Sequence, residues 1–396
     1  MKTKGIFILV TGFILIILIS NPLWAQEGRL KVGLLASMSG ERNPDWGKKQ
    51  AVGMKIAIEA VNKRGGVNGL PIEAVIYDTG GTGSQALSFY RKLALEDRVL
   101  VTIGPFFTEE FQALSEVTNE VRVPIIATAS ATPGLSDLDK RPYAFRMTVT
   151  SDKKEAPAAK AWILAHEIKK VVILRDQETI VWATLATRIW PVIMKGLDVE
   201  ILNKEDPITF KVGEQNFGGL VKRARAYQPD GICISAYPEE AGHLIREIRR
   251  QGLKQPLLGA SGIANPKVIE IAGASAEGLW SNALFYLEDP NPKVQKYVRE
   301  FREICEKEYP GMNSDPEAYD VVVHDILFFL ADIMKKEGIR GDPQRRQEER
   351  DKIRKGLANM GIWRGTAGMT AFDKKGDGIR TVHILKVKDG KWQPVY

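Results

Sequence analysis

The 396-residue chain is poor in the residues that most enzymatic chemistry needs, with only two cysteines and four histidines. Cys233 lies in the apolar run Gly231-Ile232-Cys233-Ile234, and Cys305 follows Ile304 on what reads as the inner face of a helix. Two separate buried thiols are therefore expected ahead of a disulfide, and neither cysteine has metal-ligand spacing. No Gly-x-Ser-x-Gly is present, and His166-Glu167 lacks the second histidine of a zinc-binding helix. Gly81-Thr82-Gly83-Ser84-Gln85-Ala86 imitates a dinucleotide fingerprint, but it falls on the second strand-helix turn, and a lone glycine signature is weak. Asp373-Lys374-Lys375-Gly376-Asp377-Gly378 imitates a calcium loop, yet it has Lys where the third-position ligand belongs and no Glu at the twelfth. A polar β-turn is expected there. No cofactor and no metal are expected, and catalysis has no visible residues.

Long apolar runs are missing after the N-terminus, and strong charge imbalance is missing throughout. Lysine and arginine number 56 against 49 aspartates and glutamates, a net charge of +7. The two signs are interspersed except around Lys335 to Arg354, which reads as a solvated helical face and loop, so no nucleic-acid partner is expected. What the N-terminus does have is Lys2 and Lys4 before an apolar run from Ile6 to Ile19, then Asn21-Pro22 and Leu23-Trp24-Ala25. That pattern predicts a secretory signal peptide over residues 1–25, cleaved before Gln26. The run is shorter than the roughly 20 residues of a spanning helix. With no cysteine near the cleavage point, a lipid anchor through that residue is excluded. A soluble, extracytoplasmic mature protein is expected, large enough for two domains.

From Leu30 onward, strand and helix signals alternate. Lys31 to Ala36, Pro71 to Tyr77, Val99 to Ile103 and Pro124 to Ala127 read as short apolar strands. Helices are expected over Gln50–Val61, Ser84–Glu96 and Thr108–Glu120 between them. After Arg146 the same grammar repeats, with strands over Val171–Leu174, Asp198–Leu202, Gly231–Ser235 and Pro256–Gly259 and helices over Glu155–Ile168, Thr184–Lys195, Phe217–Tyr227 and Glu239–Gln251. Beyond Gly278 come helices and a final strand pair turning at Asp389-Gly390. The fold class is therefore α/β, with two similar doubly wound parallel-sheet lobes.

Ligands of such sheets bind at the carboxyl ends of strands. The loops there offer hydroxyls and aromatics. Thr108 opens a helix, where its hydroxyl and the free first-turn N–H groups suit a carboxylate; a plain N-cap explains the spacing equally well. Ala127-Thr128-Ala129-Ser130-Ala131-Thr132-Pro133 is small and hydroxyl-rich, suited to close backbone approach or simply to being a loop. Trp46 and Tyr237 are aromatics in loops, of the kind that wall ligand sites.

Taken in order, Val32-Gly33-Leu34-Leu35-Ala36-Ser37-Met38-Ser39-Gly40, Trp46-Gly47, Asn62-Lys63-Arg64-Gly65-Gly66-Val67-Asn68-Gly69, Ile103-Gly104-Pro105, Phe145-Arg146-Met147, Ala318-Tyr319-Asp320 and Phe372-Asp373-Lys374-Lys375-Gly376-Asp377 resemble the Leu/Ile/Val class of periplasmic binding proteins of ABC transporters. That resemblance implies two lobes joined by a three-strand hinge, with the ligand in the cleft between them. One lobe takes 26–150 plus 284–370, and the other takes 151–283 plus 371–396. It implies a monomer that passes a small molecule to membrane permease subunits. By the same resemblance, Thr108 with groups of the loop after Ala127 holds a carboxylate, the corresponding residues being Ala129 and Ala131 or Thr132 in a register open by one residue, which brings in Ser130; Trp46 covers the ligand beside Phe106 and Phe107, and Trp182 and Tyr237 close from the second lobe. Members specific for amino acids carry a Glu for the ligand's ammonium where this chain has Ser261. Unless Glu239 or Asp176 substitutes, a buried ammonium would lack a counter-charge, which argues for an apolar or aromatic organic acid or an amide. A ligand sensor without transport fits less well because of residues 1–25, and a secreted hydrolase less well for want of a nucleophile and base.

Overall fold

The structure, a computed structural model, describes residues 28–395, so the expected signal peptide lies outside the described residues. Aliphatic runs early in the chain become β1 (Leu30–Ala36), β2 (Ile72–Asp78), β3 (Val101–Ile103), β4 (Ile125–Ala127) and β5 (Ala144–Arg146). These strands make one parallel sheet in the order β2-β1-β3-β4-β5. Because side chains alternate along a strand, Leu30, Val32, Leu34 and Ala36 enter one core and Leu35 enters another on the opposite face. Helices Asp45–Lys63 and Ala318–Lys336 cover the first face and helix Gly83–Leu95 the second. Each fully buried Leu or Val stabilises this sandwich by about 1.5–3 kcal/mol.

The second lobe repeats the plan with β6 (Lys170–Asp176), β7 (Glu200–Ile201), β8 (Ile208–Phe210), β9 (Gly231–Ser235), β10 (Leu257–Gly259) and β11 (Trp280–Ala283). Val172 and Leu174 of β6 enter one core, and Val171 and Ile173 the other. The chain then returns to the first lobe for helices Pro292–Glu308, Ala318–Lys336 and Arg346–Ala358 and for a small antiparallel sheet of β12 (Trp363–Gly365), β13 (Gly368–Phe372) and β14 (Gly378–Arg380). It crosses back a last time into β15 (His383–Lys388) and β16 (Lys391–Pro394), giving the order β16-β15-β11-β10-β9-β6-β7 with β8 beside β6. The lobes are thus connected after β5, after β11 and after β14. Cys233 and Cys305 are free and lie in different cores.

Three details depart from the sequence reading. Phe372, assigned there to the second lobe, packs on Phe145 and Phe329 of the first at ring distances of 5.2 and 6.2 Å, so the last crossing falls after Arg380 and not near residue 371. The helix expected over Thr108–Glu120 breaks into Thr108–Ser115 and Thr118–Val121. There the Ser115 and Thr118 hydroxyls donate to the carbonyls of Gln112 and Ser115 and compete with the helical ladder. The helix expected over Thr184–Lys195 begins at Ile180 and widens into a π-turn over Leu185–Ile189, just before Pro191, which has no N–H to donate.

Candidate functional site

A cavity lies between the lobes, walled by loops that follow the strands. From the first lobe, Trp46 stands at the start of the helix that follows β1. Gly47 makes this placement possible, since a Cβ there would lie 2.1 Å from the Ser37 carbonyl oxygen. The indole Nε1 of Trp46 donates to Glu317 at 2.9 Å, which fixes the ring. After β3, Gly104 takes φ +90° with only 2.2 Å between a notional Cβ and Leu35 O, so glycine alone lets the chain turn into Phe106, Phe107 and Thr108. Thr108 opens its helix and lines the cavity. Glu110 accepts from the Phe107 N–H at 2.9 Å, and burial pushes its carboxyl up to about 7 against the hydrogen bonds from Thr79 and Phe107. The Ser130 hydroxyl donates to Thr108 Oγ1 at 3.4 Å, leaving the Thr108 proton for a further acceptor.

The rings form a continuous wall across both lobes. Trp46 stacks on Phe106 with centroids 5.1 Å apart, and Phe106 meets Phe107 and Tyr319 edge-on at 4.9 Å each. From the second lobe, Tyr237 approaches Trp46 to 5.7 Å and Trp182 meets Tyr237 at 5.6 Å. Gly262 allows Trp182 to sit there, because a Cβ would come within 2.6 Å of its ring. The lobes also join through a hydrogen bond from Asn265 Nδ2 to Glu317 Oε2 at 2.7 Å, so the cleft is closed.

Three charged side chains that the sequence reading missed line the same cavity: Glu109, which pairs with Arg42 at 3.2 Å, and Lys154 and Glu155. Lys154 and Glu155 are the fourth and fifth residues of helix Ser151–His166. Glu155 is 3% exposed and accepts from Asn282 Nδ2 at 2.8 Å and from the Ser261 N–H at 3.3 Å. Burial pushes its carboxyl up, with Lys154, Asn282 and Ser261 opposing. Lys154 is 6% exposed, and its ammonium makes no hydrogen bond or salt bridge with any described residue. Burial holds its ammonium below the ordinary lysine range against the pull of Glu155, and the guanidiniums of Arg146 and Arg380 add to the depression.

Of the residues expected at the site, Trp46, Phe106, Phe107, Thr108, Ala129, Ala131, Trp182, Tyr237 and Ser261 line the cavity. Ser130 and Thr132 do not; their carbonyls turn away and accept from Arg146 Nη1, which lies behind the loop and pairs with Asp377 through Nε at 2.6 Å. Glu239 and Asp176, the expected substitutes for a missing carboxylate, also lie outside it. Asp176 is used up in capping Glu178 and Thr179. The carboxylate beside Ser261 is Glu155. A signal for it existed in the sequence: Lys154 and Glu155 sit four residues before Ala158 and Ala159 and eight before Trp162 and Ile163, so both charges fall on the apolar stripe of their helix. A wider chamber of about 230 Å³ adjoins the cavity, sharing Lys154, Ser261 and Tyr319 with it. Among the described residues no cluster suited to a metal ion occurs, and no helix is long and apolar enough to cross a membrane.

Two α/β lobes joined by three crossings over a ring-lined cleft define a cleft-type solute-binding protein. The chain belongs to the periplasmic binding protein family, which it matches over residues 29–391. It is 24% identical over 353 residues to a leucine-, isoleucine-, valine-, threonine- and alanine-binding protein of Pseudomonas aeruginosa, covering 88% of this chain and 87% of that one. Its fold is similar to LivJ of Streptococcus pneumoniae in complex with isoleucine, at a TM-score of 0.77 and 21% identity, covering 92% of this chain and 98% of that one. It is as similar to a solute-binding protein from R. palustris in complex with 4-hydroxybenzoate, at a TM-score of 0.77 and 18% identity over 93% and 96% of the two chains.

Proposed function

We propose that this chain is the extracytoplasmic solute-binding protein of an ABC importer, without catalytic activity, that captures a small organic ligand by closure of its lobes and presents it to permease subunits as a monomer. The supporting observation is the inter-lobe cavity, where rings from both lobes meet around the Thr108 hydroxyl while the lobes touch through Asn265 and Glu317. A pocket split between two bodies can close only by hinge motion at the crossings, so binding energy and compaction are linked. Export rests on residues 1–25, with cleavage before Gln26. Small-angle scattering on the exported protein, its intact mass first placing the N-terminus at Gln26, tests the whole reading. The radius of gyration should fall when a bound compound is added back to protein stripped of ligand. Retention of residues 1–25, or an unchanged radius at saturating ligand, would refute it.

A further inference from the structure

The relatives whose complexes are described above hold either an amino acid or an aromatic acid, and those ligands ask opposite things of a site. A zwitterion needs an acceptor for its ammonium as well as donors for its carboxylate. A simple acid needs donors alone. In this cleft the charged side chain without a hydrogen-bond partner is a donor, Lys154. Glu155 already accepts from Asn282 and Ser261. Lys154, more than nine-tenths buried and facing both chambers, has no acceptor at all. Behind it, Arg146 Nη2 and Arg380 Nη1 are buried without hydrogen-bond partners, and both guanidiniums add to the depression of the Lys154 ammonium against the opposing pull of Glu155. An unpaired buried cation is costly and persists where a ligand supplies the missing charge.

We propose that Lys154 is the specificity-determining residue of the cleft, pairing the anionic group of the ligand, and that the ligand is an aromatic or apolar organic acid without an ammonium group. The inference rests on the solute-binding function proposed above and adds the chemical class of the ligand. The ring wall of Trp46, Phe106 and Tyr237 suits the apolar body of such an acid. Closure then desolvates the ion pair, which makes the ammonium a filter against neutral amides as well as against amino acids.

The test is a thermal-shift screen of the purified protein against the twenty common L-amino acids and a set of aromatic and aliphatic carboxylic acids that includes 4-hydroxybenzoate, each acid paired with its amide. Acids should raise the melting midpoint, while amino acids and amides should not. The best acid is then titrated calorimetrically into the protein and into Lys154→Met and Lys154→Arg. Lys154→Met should bind it about tenfold or more weakly, the loss expected for one charge-assisted hydrogen bond, and Lys154→Arg should keep most of the affinity. Because Lys154 also opposes the buried Glu155 carboxylate, stability is compared in the ligand-free Glu155→Gln background, where adding Lys154→Met should not lower the melting midpoint. A merely structural lysine would do the reverse, lowering the midpoint and sparing affinity, and that result would overturn the assignment. A screen in which only amino acids bind would overturn the proposed ligand class and leave the solute-binding function standing. A screen in which nothing binds would count against both.

Discussion

The two walls of the cleft are built on the same βα plan yet are finished differently. In the first lobe nearly every polar group near the cavity is already bonded: Trp46 to Glu317, Glu110 to the Phe107 N–H, Gln50 to Thr128 at 2.7 Å. What this wall leaves over is neutral, the Thr108 hydroxyl, the amide oxygen of Gln50 and the N–H groups at its helix start. In the second lobe the leftovers are an ammonium at Lys154 and the Trp182 indole N–H, which has no partner. The first wall is therefore a finished receptor for one end of a ligand, while the second wall is complete only when something arrives. A first wall that needs no rearrangement favours initial capture, and a second wall with unmet charge lets the ligand drive closure.

The division can be broken from the first-lobe side. Thr108→Ala removes the neutral donor while leaving the backbone of the helix start in place, and affinity for the best compound of the screen should fall by roughly ten- to a hundredfold, the arithmetic of a hydrogen bond to a charged group. Calorimetry measures it. A loss below threefold would mean that the carboxylate is not held at Thr108 and that Lys154 alone receives it. The contact between the walls offers a smaller effect. Asn265→Ala deletes the 2.7 Å bond to Glu317, which keeps its partners Lys49 and Trp46; it also removes the cap that Asn265 Oδ1 gives the Lys267 N–H, a loss shared by open and closed states, so the change in affinity reports the bond between the lobes. About 1 kcal/mol, near fivefold in affinity, is expected. Stopped-flow fluorescence of the cleft tryptophans should place that change in the dissociation rate; an effect confined to association would show that the bond forms before closure.

Much of this was legible in the sequence, for reasons that differ from residue to residue. Apolar strands bounded by glycine betrayed the doubled sheet, and Trp46, Phe106, Thr108 and Tyr237 could be placed because they follow strand ends. β5, β8, β11 and the sheet β12-β13-β14 went unread. Most are three to five residues long, and their pairing is decided by tertiary context more than by local pattern. Lys154 and Glu155 went unread because attention to loops stops where a helix begins, and this helix begins at Ser151 and not at Glu155. A charge on the buried stripe is a conflict between local pattern and global fold, and such conflicts mark sites.

The smallest expected effect on binding concerns the frame behind Thr108. Glu110 is buried, and its carboxyl is raised to about 7 from 4.5, chiefly by desolvation. The folded state therefore binds the proton more tightly than the unfolded state, so this group costs stability progressively as the pH rises from about 4.5 through 7. Asp320, raised by burial to about 8, acts in the same direction over a window reaching one unit higher. Glu110→Gln keeps an acceptor for the Phe107 N–H and cannot ionise. Its denaturation midpoint should decline less than that of the parent between pH 5 and 8, by on the order of 1–3 kcal/mol in unfolding free energy, while the slope contributed by Asp320 remains. Ligand affinity at pH 5, where Glu110 is protonated in the parent, should be nearly the same in the two proteins. If the two stability profiles run parallel, Glu110 is ionised throughout and is balanced by the hydrogen bonds from Thr79 and Phe107; the helix start would then carry a fixed negative charge close to Thr108, and the first wall would repel the carboxylate it is built to receive.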